Sequence, residues 1–143
     1  MIDLTSYTGS FLWLGILISV VMVQSFVASG AKAKMPGAIP GLAPAAELGH
    51  SSFVFRAWRT HQNTVENLGT MLGAAIFAIL VGSNPLWVHT LLAIMVIGRI
   101  AHMVLYYAIA TEKNPSPRTW FFLVSWLANC ALLVLGFITL FTR

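Results

Sequence analysis

Arg56, Arg59, Asn63, Glu66, Asn67 and Thr70 are spaced so that, at about 100° per residue, they fall within an arc of roughly 100° on a helical wheel. A helix over this stretch would carry guanidinium, amide and carboxylate groups down one side. Its continuation, residues 71–81, is apolar all round. A guanidinium grips a carboxylate through two parallel N–H bonds, an amide pairs with peptide groups, and a carboxylate takes an ammonium. The stripe therefore suits a small zwitterionic or polyanionic ligand. A second stripe follows, because Arg99, His102 and Tyr106 share an arc of roughly 60°.

Other chemistries find little footing. His50, His61, His89 and His102 are scattered, with no pair at ligand spacing on one helical face, so no metal site is expected. No acid is placed to orient a histidine for serine hydrolysis. Cys130 is the one cysteine; it reads as a small packing residue and precludes an internal disulfide.

The elements that must position these side chains follow from composition. The 143 residues are 58% hydrophobic and 8% charged, with a mean hydropathy of +0.83. A soluble domain of this size could not bury so much apolar surface, so the expected class is all-α, a four-helix integral membrane bundle in a single domain spanning 1–143. Apolar runs near the roughly 20 residues needed to cross a bilayer predict helices over 7–29, 53–81, 86–110 and 118–141. The first run has no basic residue before it, only Asp3, and is long for a secretory signal, so it reads as a retained helix ending near Ser29–Gly30. Pro36, Pro40 and Pro44 exclude a regular helix from the connection over 31–52.

The net charge of +4 does not indicate nucleic acid, because the cations cluster at two connections. Lys32, Lys34, Arg56 and Arg59 flank the first, Lys113 and Arg118 the third, and residues 82–85 carry none. The positive-inside bias then puts both basic connections in the cytoplasm and both termini on the other side, with Asp3 and Arg143 disturbing it little. Lys32 and Lys34 read as interfacial anchors or as contacts for an anionic ligand. The lack of a recognisable targeting tail favours a bacterial inner membrane over an endoplasmic reticulum.

Cations and amides inside hydrocarbon are costly unless they face a partner, a bundle interior or a water-filled cavity. Arg99 lies about 20 Å along its helix from Pro85, near mid-membrane. Glu66 is the only acid expected within a membrane helix, so a Glu66–Arg99 pair across helices two and three is predicted. Arg118 has two readings, a headgroup contact or an active group. Tyr106 also has two, a hydrogen-bond donor in the site or an interfacial aromatic.

The run Arg56-Ala-Trp-Arg59-Thr-His61-Gln-Asn63-Thr-Val-Glu66-Asn, the turn Ser83-Asn84-Pro85, then Gly98-Arg99-Ile-Ala-His102-Met-Val-Leu-Tyr106 and a proline-rich turn ending in Arg118 resemble the MAPEG family. These are membrane-associated proteins of eicosanoid and glutathione metabolism, and the resemblance covers nearly the whole chain in order and spacing. It implies a homotrimer of four-helix protomers holding glutathione between subunits towards the cytoplasm. Arg59, Asn63 and Glu66 would contact glutathione from helix two, His102 and Tyr106 from helix three. Arg118 would stabilise the thiolate and Tyr106 would assist it. Arg56 and His61 also fall on family positions, but His61 points away from the stripe and reads as a packing or inter-subunit residue. Gln62 stands where the prostaglandin-synthase branch has arginine, and the connection before Arg118 is longer than the family pattern. The expected activity is a glutathione transferase or peroxidase acting on lipophilic substrates in the membrane. The alternatives are a non-enzymatic lipid-binding protein and a trimeric structural protein whose stripes only join helices.

Overall fold

The computed structural model describes residues 3–142; Arg143, counted above in the charge bias, lies outside them. A short 3₁₀ turn at Leu4–Tyr7 leads into α1, Thr8–Ala33. Three further long helices follow: α2 at Phe53–Leu80, α3 at Pro85–Ala108 and α4 at Pro117–Phe141. Each is long and apolar enough to cross a membrane. Phe26, Phe141, Leu86 and Met22 are 68–81% exposed, an outer surface that only hydrocarbon or a partner can cover. The protein is a multi-pass membrane bundle.

Helix α1 does not end at Ser29–Gly30 but continues to Ala33. The glycine is tolerated where Ala31, Lys32 and Ala33 follow, and the first proline comes only at Pro36. Lys32 in its last turn caps the connection, its Nζ donating to the carbonyl of Ile39 at 2.6 Å and also to that of Leu42. Helix α3 stops at Ala108, short of the expected 110, because Ile109 is already extended. Its start is fixed by Pro85 and by Asn84, whose carboxamide oxygen accepts from Leu86 N at 3.0 Å. Pro117 opens α4 in the same way, with the Thr119 hydroxyl accepting from Ser116 N at 3.1 Å.

Helix α3 packs most extensively on α4, and α2 touches all three other helices. The core between them holds Leu17, Ala75, Ala78, Val88, Leu92, Met95, Val96 and Leu132, each fully buried. Lipid tails are as apolar as these side chains, so close packing, rather than escape from water, must hold the helices together. At Gly98 a Cβ would sit 3.1 Å from the Phe121 carbonyl oxygen and from Ser125 Cβ. That close approach of α3 to α4 lies one residue before Arg99.

The end carrying the α2–α3 turn is tied by short polar links. The Tyr7 hydroxyl donates to the Ser83 carbonyl, and the Ser83 hydroxyl donates to Thr139 Oγ1 at 2.9 Å. At the other end the 34–52 connection lies against the α3–α4 connection.

Candidate functional site

The two stripes meet at the connection end of α2, α3 and α4, though with different pairings from those expected. Glu66 does not pair with Arg99. It accepts from Arg59 Nη1 at 2.9 Å, two turns back on its own helix. Arg99 instead donates from Nη2 to Asn63 Oδ1 at 2.8 Å and to Thr64 Oγ1 at 2.7 Å, with its guanidinium 5.7 Å from the Phe122 ring centroid. The reason is register. Arg99, 1% exposed, faces residues 63 and 64, while Glu66 points to the outer side of α2 with its side chain 53% exposed. Glu66 stays close enough to act on Arg99 through space, but the direct hydrogen bonds are to an amide and a hydroxyl.

Arg56 also departs from its expected place in the cleft. Its Nη1 donates to the carbonyls of His50 at 2.7 Å and Ser51 at 2.9 Å, and its Nη2 to that of Tyr107 at 3.3 Å. A guanidinium whose Nη1 and Nη2 are committed to three main-chain carbonyls, at 8% exposure, is a clamp between the first connection and α3, with Nε left unbonded among the described residues. His61 and Gln62, with Trp58, face the other side of α2. There they line a cavity of about 800 Å³ beneath the proline-rich connection, with Lys32 and Met35 opposite.

His102 and Tyr106 are brought together on α3, ring centroids 5.4 Å apart and edge to face, both almost fully buried. Arg118 from α4 lies over the Tyr106 ring at 4.0 Å to the centroid, a cation–π contact, and its Nη2 donates to the Thr111 carbonyl at 3.2 Å. The charges of Arg99, Arg118 and Arg59, from three different helices, all act on the His102 ring. Arg118 Nη1, His102 Nδ1 and Arg99 Nε are buried donors or acceptors with no partner among the described residues. Leaving such an atom unbonded costs about 1–3 kcal/mol, so the cluster has capacity for further polar atoms. Asn67 and Thr70, by contrast, satisfy themselves on the backbone carbonyls of Asn63 and Asn67.

Two residues of this region escaped the sequence reading. The Tyr106 hydroxyl meets His50 Nε2 at 2.9 Å, and His50 Nδ1 meets Glu112 Oε2 at 2.8 Å. The bonds from the His50 backbone N–H and then from its ring hold the Glu112 carboxyl below its ordinary value. Both residues sit on connections, where no helical period points to them. The available signal was that the two connections carry the basic bias together, so a histidine on one and a glutamate on the other share an end.

Four membrane-spanning helices with a cluster of guanidinium groups and aromatic rings at one end define an integral membrane bundle with a cationic polar site. The chain belongs to the MAPEG family, whose profile matches residues 10–138, including all of α2 and α3. It is thus a membrane protein of the family associated with glutathione and eicosanoid metabolism. Comparison with curated proteins and with solved structures finds no match.

Proposed function

We propose that the protein is a glutathione-dependent transferase or peroxidase acting on hydrophobic electrophiles dissolved in the membrane. The observation that carries this reading is Arg118 lying 4.0 Å from the Tyr106 ring centroid beside buried His102, with Arg59 and Arg99 close enough to act on His102 through space. A free thiol titrates near about 8.5, and a guanidinium beside the sulfur favours the thiolate, so more nucleophile exists at neutral pH. Arg118, with one N–H side unbonded, is the group assigned to the sulfur. Arg59, Asn63, Glu66 and His102 are assigned to the carboxylates, peptide groups and ammonium of the tripeptide. The electrophile enters from the bilayer and the thiol from water, and the protein contributes positioning and charge stabilisation.

The site is completed by neighbouring copies in a homotrimer, with the connection end in the cytoplasm. The Arg59–Glu66 pair supports this, because it faces outward with side chains 34% and 53% exposed. Turned towards lipid, that pair would be costly; against a second protomer and a bound zwitterion it is not.

A structural reading also has a specific observation behind it, since Arg99 finds its partners within the protomer, on Asn63 and Thr64. The experiment that separates the two is glutathione calorimetry and conjugation to a halonitrobenzene, with Arg118→Ala and Arg59→Ala alongside wild type. Binding and turnover in wild type, with turnover lost in Arg118→Ala, support the enzyme. No binding and no turnover in wild type would leave the helix-joining role.

A further inference from the structure

A chain of three side chains runs from the protein surface into the site. Glu112 is exposed, His50 stands between, and the hydroxyl of buried Tyr106 closes the chain, with contacts of 2.8 Å and 2.9 Å. Both lie within the range in which a proton passes between heavy atoms. We propose that this chain is a proton relay, in which His50, acting through the Tyr106 hydroxyl, accepts the proton of the glutathione thiol; the proposal rests on the function given above.

The direction of each hydrogen bond follows from the acceptor at the outer end. An ionised carboxylate only accepts, so His50 Nδ1 carries a hydrogen and donates it to Glu112 Oε2. In the neutral ring Nε2 is then a lone pair, and it must accept from the Tyr106 O–H. Tyr106 consequently presents lone pairs, not its hydrogen, on the side away from His50. When a thiol binds there, the S–H bond breaks and its proton goes to the Tyr106 oxygen, while the original phenolic proton passes to Nε2. The electron pair stays on sulfur. The result is a thiolate facing a Tyr106 O–H that now donates to it, and an imidazolium paired with Glu112, from which the proton reaches water.

The relay is held by more than its own bonds. The His50 backbone N–H donates to Glu112 Oε1 at 2.9 Å, and its carbonyl accepts from Arg56. The ring lies edge-on to Phe55 and roughly parallel to Tyr106, with centroids 5.2 and 5.6 Å away. Gly49 takes φ +57°, the left-handed turn that lets His50 enter, and a Cβ there would touch Glu112 Oε1. Arg118 from α4 and Arg59 from α2 are the cations that act on Tyr106, and Glu112 is the anion. Two cations beside the phenol favour the state in which the sulfur carries the negative charge.

The test mixes the reconstituted protein with glutathione in a stopped-flow instrument, reading thiolate absorbance and proton release to an indicator dye. S-methylglutathione, which has no thiol proton, reports binding alone. His50→Gln is expected to slow thiolate formation by about tenfold or more, a modest share of what general base catalysis supplies, and to shift the rate profile towards higher pH. Its affinity for S-methylglutathione should stay within about threefold of wild type, well under the tenfold that 1.4 kcal/mol represents. Glu112→Gln, at an exposed position, should show the same pattern more weakly and serves if His50→Gln does not fold. Thiolate formation at the wild-type rate in both variants overturns the relay and leaves the function standing. Equal losses of S-methylglutathione binding and of thiolate rate overturn it too, showing His50 to be only a prop. If wild type binds neither compound, the functional reading itself falls and takes the relay with it.

Discussion

The two ends of this bundle treat their polar groups in opposite ways. At the end with the α2–α3 turn, Tyr7, Ser83, Thr139 and Asn84 bond to one another or to adjacent backbone, and among the described residues Ser10 Oγ and Trp13 Nε1 are buried without a partner. At the connection end, Arg56 Nε, His61 Nδ1, His102 Nδ1, Tyr107 Oη and Arg118 Nη1 are all buried and unbonded among the described residues. The first end, with most of its polar groups bonded, resists rearrangement. The unsaturated end stores several unmet bonds that a ligand can complete, at a cost the packed half must offset. The comparison therefore sets a closely bonded half against the half to which the proposed function assigns the chemistry, and substitutions can test that division.

Leu92, fully buried in the half nearer the turn, should give the largest effect. Leu92→Ala removes packing that nothing in lipid replaces, and about 2–5 kcal/mol of stability is expected to go with it. Thermal melting in detergent measures the loss, and turnover per folded molecule should be unchanged. Arg118→Ala is the mirror image. Under the proposed function it should lower conjugation by about 10²–10³-fold, the usual effect of removing one charge-stabilising donor, with little change in melting. Were Arg118→Ala to unfold the protein, or Leu92→Ala to abolish turnover of the folded fraction, the two halves would not be separable.

Tyr7→Phe should act more gently. It leaves the ring in place and takes one donor from the Ser83 carbonyl, so about 1–3 kcal/mol of stability is expected to be lost, with no effect on turnover. A double-mutant cycle of Tyr7→Phe with Arg118→Ala should be additive, because the sites lie at opposite ends.

How far the sequence foretold this division depends on the range of the interaction. The helices were legible because length and continuous apolarity are local properties, and Asn84–Pro85 marked the start of α3 in the same local way. The stripe on α2 was legible from periodicity alone. What it does was not. A helical wheel places Glu66 and Arg59 on one side but cannot tell whether Glu66 reaches back to Arg59 or across to Arg99, which depends on a register shift of about one turn between helices. Arg56 shares the stripe's arc yet is drawn off by main-chain carbonyls of a loop whose path no periodicity describes. His50 and Glu112 are 62 residues apart on two connections, and only the fold brings them within 2.8 Å.

The smallest effect is a pH response confined to the connection end. Glu112 is ionised at neutral pH, and the His50 backbone N–H followed by the His50 ring keeps its carboxyl below the ordinary value. A carboxyl whose value is lowered by folding contributes above its unfolded value, about 4.3, and loses that contribution as pH falls through the lower folded one. Acidification from about pH 5 to about pH 3 should therefore release the first connection from the third, raising hydrogen exchange at His50 and Ser52 a few-fold. Leu86 and Trp87, capped by the neutral carboxamide of Asn84, supply the internal reference and should not respond. Asp3 is likewise held low, by the Thr5 hydroxyl and then its N–H, so an acid response at that end belongs only to the short turn over residues 3–7. Glu112→Gln should already exchange faster at neutral pH and show no further rise on acidification. An unchanged acid response in Glu112→Gln would mean that another group holds the connections together.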